Sequence, residues 1–257
     1  MSRALNRESA VSMPLISALT TELPLHAQPG QIISLIGRDE KDYRICCDYP
    51  PGSSHKAVVD VLKRKMQLAK QADLRGRGTT SLAGDGLRWT PGAASLLDAD
   101  DLDDDQVPGE EVCANLSYRL VLCSARAVVG YCTFDINIGH ISTSRVGPSF
   151  EIEMGDAWIQ PRARKIGLGG SLAYAVAFLA VQSLWDLETR MAQSNAYTGR
   201  ATPIFLDVVA DVYSTSGEGL LFCVGDHLAS ALKDFRHEYK KEFRALRLGR
   251  VEVDARW

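Results

Sequence analysis

Pro161-Arg162-Ala163-Arg164-Lys165-Ile166-Gly167-Leu168-Gly169-Gly170-Ser171-Leu172 decides how this chain is read. A strand-like run, Phe150 to Gln160, leads into it, and Pro161 ends that run because proline has no N–H to give a ladder. A long apolar helix is predicted from about Leu168 to Gln193. The stretch is therefore a strand-to-helix joint. Its glycines allow close approach to the backbone and turn N–H groups outward. The first turn of a helix adds unpaired donors and the positive end of the macrodipole. A pyrophosphate placed there gains several hydrogen bonds at once, and Arg162, Arg164 and Lys165 supply a local basic field. The joint reads as a phosphate cradle.

Two familiar cradles do not fit. A Walker loop needs Gly-Lys-Ser/Thr after a four-residue gap, and none is present. A dinucleotide fingerprint needs a third glycine where Leu172 stands, together with a parallel βαβ context that the predicted strands do not suggest.

Outward from the joint the pattern is strands first, then helices. Leu116 to Cys123 and Val128 to Asn137 are rich in Val, Leu, Tyr and Phe and are joined across Ser124-Ala125-Arg126-Ala127, the signature of a hairpin. Gly139 to Pro148 reads as a loop. Beyond the long helix, Pro203 to Val212 is a buried strand and Asp226 to Leu246 a final amphipathic helix. Upstream, Gln31 to Ile36 and Asp42 to Cys47 have strand length, and His55 to Ala72 is an amphipathic helix with a basic face. Asp98 to Glu111 is a run of acids without a base, read as a solvated insert. Asp101, Asp103 and Asp105 resemble the start of a calcium loop, but Gln106 and Val112 replace the glycine and glutamate it needs. The expected class is α+β, with a mixed, mostly antiparallel sheet flanked by helices. Residues 1–40 read as an N-terminal extension, and residues 41–257 as one domain carrying an acidic insert at about 74–112.

The joint resembles the acetyl-CoA loop of the GNAT acetyltransferases. Their Arg or Gln, two residues, Gly, one residue, Gly or Ala appears as Arg164-Lys165-Ile166-Gly167-Leu168-Gly169, with Pro161 three residues ahead at the close of a strand. Val128-Val129-Gly130-Tyr131 is similar to that fold's third strand. The resemblance covers about Leu116 to Phe205. It implies a GNAT-like acyl-CoA transferase fold and direct transfer of an acetyl or similar acyl group from CoA to an amine. Acetyl-CoA is the implied acyl donor. Its pyrophosphate would lie on the amides of Arg164, Lys165, Ile166, Gly167, Leu168, Gly169, Gly170 and Ser171, and its pantetheine arm along the backbone of Trp158 and Ile159. Counting back from the motif puts Glu153 where histone-type members keep a catalytic glutamate, and Tyr213 falls in the region of the family's general acid. Lys165 and Ile166 depart from the usual glycine and basic residue. Ser214-Thr215-Ser216-Gly217-Glu218-Gly219 departs from the family's sequence after Tyr213. A catalytically degenerate GNAT-fold protein acting as a binding or assembly module is the alternative.

Composition narrows the setting. A net charge of −3 over 257 residues argues against a general nucleic-acid binder, so no DNA partner is expected. Six cysteines include no C-x-x-C pair, and five histidines do not bracket them at zinc spacing, so no metal site is expected. Dispersed thiols point to a reducing, cytoplasmic setting. Ile166 to Leu184 runs uncharged for 19 residues, but its Gly, Ser and Gln content favours a core helix over a membrane span. The partner expected is an amine-bearing acceptor of open class, with a homodimer left open. His227 and His237 are too far apart for a shared metal, Arg75-Gly76-Arg77-Gly78 reads as a flexible exit, and Lys240, Lys241, Arg244, Arg247 and Arg250 as a solvated helix face.

Overall fold

The computed structural model describes residues 30–47, 56–74, 111–125, 127–141, 147–194, 197, 199–238 and 243–256. The acidic insert, the calcium-like acids, Arg75 to Gly78, Lys240 and Lys241 lie outside them. The elements run β1 (Gly30–Ile36), β2 (Asp42–Cys47), α1 (Lys56–Leu74), β3 (Glu111–Ser124), β4 (Val128–Ile141), β5 (Gly147–Ile159), α2 (Leu168–Gln193), β6 (Thr202–Asp211), α3 (Thr215–Glu238) and β7 (Leu246–Arg256). A short 3₁₀ turn, Pro161–Ala163, sits between β5 and α2. The class is α+β.

All seven strands form one sheet in chain order. The first five are antiparallel to their neighbours, whereas β6 runs parallel to β5 and β7 parallel to β6. Parallel neighbours need a crossover, and α2 and α3 supply the two. The parallel context thought missing is therefore present. What separates the joint from a dinucleotide fingerprint is Leu172, which is buried in the core.

Period-two alternation sorts the strand residues onto two faces. Leu116, Tyr118, Leu120, Phe134, Ile136, Phe150, Ile152, Leu206 and Val208 form the main core with α2 and α3. The other face carries a smaller cluster, in which Val59, Leu62 and Met66 of α1 pack on Val121, Tyr131 and Trp158. Those three α1 positions share one helical face, and burying each is worth about 1.5–3 kcal/mol.

Several boundaries differ from the sequence reading. β1, Gly30–Ile36, belongs to the sheet although it falls within the segment read as an extension. β4 extends to Ile141 and β5 begins at Gly147, each reaching into what was read as loop. The last helix begins at Thr215 and not Asp226. Gly217, Gly219 and Gly225 disguise it, and Gly225 is required because a side chain there would run into Val253. Arg247 and Arg250 lie on a strand, β7, and not on a helix.

α2 matches its predicted limits. It is long and apolar enough to cross a bilayer by length and composition, yet Leu172, Ala173, Val176, Ala180, Leu184 and Leu187 are buried against the rest of the chain. Its buried Glu188 accepts hydrogen bonds from the amides of Arg244 (2.6 Å), Ala245 (2.9 Å) and Leu246 (2.7 Å). One carboxylate thus pins the start of β7 to the core helix.

Candidate functional site

The site begins with an irregularity between β4 and β5. Cys132 pairs with Ala157 and Phe134 with Met154, so Gly155 and Asp156 together face the single residue Thr133. This is a β-bulge. The Thr133 hydroxyl fixes it from both sides, accepting from the Asp156 amide (2.9 Å) and donating to the Asp156 carbonyl (3.3 Å). Gly155 is needed there, since a Cβ would lie 2.7 Å from Thr133 Oγ1.

The bulge coincides with a parting of strands. β5 pairs with β6 only from Ser149–Phe205 to Met154–Ala210, while it stays paired with β4 out to Ile159. The end of β5, Gly155 to Ile159, therefore has β4 on one side and a cleft on the other. Gln160 donates to Val129 O at 2.8 Å, so alternation turns the Ala157 and Ile159 backbone groups toward the cleft. Arg164 Nε reaches Ile159 O from that side at 2.8 Å.

Two contiguous cavities fill the cleft. One of about 100 Å³ is lined by Met66, Gly155, Asp156, Asp211 and Tyr213 among others. The second, about 360 Å³, runs past Trp158 and Ile159 to Arg164, Lys165, Gly167, Gly169 and Gly170. Ala157, Trp158, Ser214, Gly217 and Leu220 line both. The parallel strands β5 and β6 deliver α2 and α3 with their N-terminal ends on this cleft, the crevice at strand carboxyl ends where α/β sheets take ligands.

The joint has the shape of a cradle. Arg164 is extended, Lys165 has a positive φ of 63°, and Gly167, the N-cap of α2, has φ 91°. A left-handed lysine costs backbone energy that glycine would not, and such strain gathers at functional sites. No side chain caps α2. Ser171 supplies the first amide in the helix with a protein acceptor, Gly167 O. The amides of Gly167, Leu168, Gly169 and Gly170 meet none among the described residues. A Cβ at Gly169 or Gly170 would touch nothing within 4 Å, so no protein atom claims that space. Arg164 is anchored over the Trp158 ring at 4.5 Å and holds the loop against β5.

The predicted site residues divide accordingly. Trp158, Ile159, Arg164, Lys165, Gly167, Leu168, Gly169 and Gly170 line the larger cavity, and Tyr213 the smaller. Ile166 bonds through its carbonyl to the Arg38 amide, and the half-buried Ser171 points its hydroxyl back to Gly167 O. Glu153 is exposed and accepts from Asn137 Nδ2 at 3.1 Å. It precedes the bulge and lines neither cavity. Asp156, Asp211, Thr133 and Met66 escaped the sequence reading. Only the Gly155-Asp156 step inside a strand hinted at a bulge.

Charges in the smaller cavity bear on its phenol. Burial, followed by the charges of Asp211 and Asp156, raises the Tyr213 pKa above that of a free tyrosine, so it is protonated at neutral pH. Among the described residues no cluster of His, Cys, Asp or Glu could hold a metal. No protein-family model matches the chain, and no curated protein matches it.

Proposed function

We propose that the chain is an acyl-CoA-dependent N-acyltransferase of GNAT type, moving an acetyl or similar acyl group to an amine. One observation carries this reading: the cleft opened where β5 leaves β6 ends on a row of unpartnered amides, Gly167 to Gly170, at the head of α2. Donors converging on empty space suit a diphosphate, and Arg164 and Lys165 add positive charge beside them. The edge of β5 from Ala157 to the Ile159 amide, beyond which Arg164 holds the Ile159 carbonyl, suits an extended amide-bearing arm, which would add to the sheet as a short strand.

An acyl-CoA bound there supplies the activated thioester. The residues do the rest. The two helix ends and the loop amides hold the anion, the β5 edge fixes the arm, and the Ile159 amide faces the place where carbonyl charge would grow. Tyr213, held protonated, is placed to give a proton to a departing sulfur. Cys46, Cys47, Cys123, Cys132 and Cys223 are free thiols, which supports a reducing, cytoplasmic setting.

The position of Glu153 outside the cavities favours one contrasting reading, a protein that binds CoA esters and transfers nothing. A thermal-shift titration with acetyl-CoA tests the shared premise. Saturating ligand raises Tm in the wild type and leaves it unmoved in Gly167→Glu. A wild type indifferent to acetyl-CoA rejects both readings.

A further inference from the structure

Two carboxylate residues near the parting of the strands, Asp156 and Asp211, line the cleft. Asp156, on β5, and Asp211, at the end of β6, both line the smaller cavity, together with Tyr213. Glu153 lies on the far side of the bulge. The bulge is what sets Asp156 apart. It inserts the residue at the point where β6 has left, and Thr133 fixes its main chain through both the amide and the carbonyl.

We propose that Asp156 is the group that takes the proton from the acceptor amine. The assignment rests on the reading of the cleft as an acyl-CoA site. Its surroundings suit the task. Lys63, reaching across from α1, places Nζ 3.5 Å from Asp156 Oδ2, and both side chains keep over a third of their surface exposed. A base must stay open to its substrate, and this one has a cation beside it and lines a cavity. The other titratable groups around it are Tyr131 and Cys132 on β4, and Asp211 and Tyr213 at the end of β6. Burial keeps Tyr131 and Cys132 protonated, and the Asp156 charge pushes both further the same way, as it does Tyr213. Asp156 therefore sits beside Lys63 and protonated Tyr131 and Cys132, with Asp211 on the same cavity and with Arg119 and Asp135 in the neighbouring pocket that Lys63 and Gly155 line.

That pairing of carboxylates names the acceptor class. An aliphatic amine reaches the site as an ammonium ion, which Asp156 and Asp211 attract and which must shed a proton before it can attack. Asp156 takes that first proton. The freed nitrogen lone pair forms the C–N bond to the acyl carbon, and the C–S bond breaks with its electrons on sulfur. Tyr213 gives the sulfur a proton, and the second proton lost by nitrogen restores Tyr213. The sum is an ammonium and a thioester converted to an amide, a thiol and one proton, which leaves Asp156 for solvent.

The test uses the full chain with acetyl-CoA, and ethylamine as a probe small enough for the cavity. CoA thiol release is followed from pH 6 to 9, beside calorimetric binding of acetyl-CoA. Asp156→Asn should bind acetyl-CoA as the wild type does and release CoA about 100-fold more slowly or worse. Asp156→Glu, which keeps a carboxylate, should recover part of the rate. Release by Asp156→Asn within threefold of the wild type overturns the assignment. So does a loss confined to Glu153→Gln, a loss of acetyl-CoA binding in Asp156→Asn, or a wild type that binds acetyl-CoA and releases no CoA. A wild type that does not bind acetyl-CoA at all removes the cradle reading, and this assignment with it.

Discussion

The Thr133 hydroxyl holds both the amide and the carbonyl of Asp156, at 2.9 Å and 3.3 Å, and through them the extra residue of β5. This contact locks the bulge beside the point where β5 and β6 separate after Met154 and Ala210. Thr133→Val keeps the shape and removes both bonds. With each worth about 0.5–1.5 kcal/mol, the variant should lose about 1–3 kcal/mol in urea unfolding. The Asp156 main chain would also lose both its anchors, so transfer should fall by more than donor binding does.

The glycines of the joint separate conformation from ligand space. Gly167 has φ 91°, so Gly167→Ala should cost about 1–2 kcal/mol of stability by differential scanning calorimetry. Gly169 is different, because a Cβ there meets nothing within 4 Å. Gly169→Glu should therefore leave stability within about 1 kcal/mol of wild type, glycine being a poor helix former. It should nonetheless weaken acetyl-CoA binding at least tenfold, by placing an anion where a diphosphate is to sit.

Glu188 is the structural counterpart of the site. Its buried carboxylate satisfies the Arg244, Ala245 and Leu246 amides at once. Glu188→Ala would strand those donors and should destabilise the fold by about 3 kcal/mol or more. Glu188→Gln, which still accepts through one oxygen, should cost less. Urea midpoints compare the two.

Alkali should weaken the fold through Cys132. Burial pushes its thiol up to about 12 from an ordinary 9.0, with the Asp156 charge adding to the shift. Between those values the folded chain keeps the proton and the unfolded chain releases it. Stability is thus fully present below pH 9 and falls as pH rises toward 12. In Cys132→Ala the downward slope of unfolding free energy over pH 9 to 10.5 should be shallower than in wild type, whatever the variant's starting stability.

Much of this was legible in the sequence. The hairpin, the third strand, Pro161 and the limits of α2 announced themselves through alternation, a chain breaker and a continuous apolar run. Gly130 was legible as a motif, and the structure gives its reason: a Cβ would lie 2.8 Å from Trp158 O. Other features depend on pairing, which one strand cannot reveal. The bulge exists only in the register of Thr133 against two residues, and Asp156 gains its place only from that register. The start of α3 hid behind Gly217 and Gly219, and further along the helix Gly225 packs against β7. The alternating Leu246, Leu248, Val251, Val253 and Ala255 of β7 was obscured by the arginines between them.

The central claim is that the amides from Gly167 to Gly170 receive a diphosphate. Selective ¹⁵N-glycine labelling and titration with acetyl-CoA observe three of them directly. The account predicts that the Gly167, Gly169 and Gly170 amide protons move downfield together and saturably, while Gly199, in the turn before β6, stays still. Bound acetyl-CoA that leaves those three resonances unmoved would contradict it.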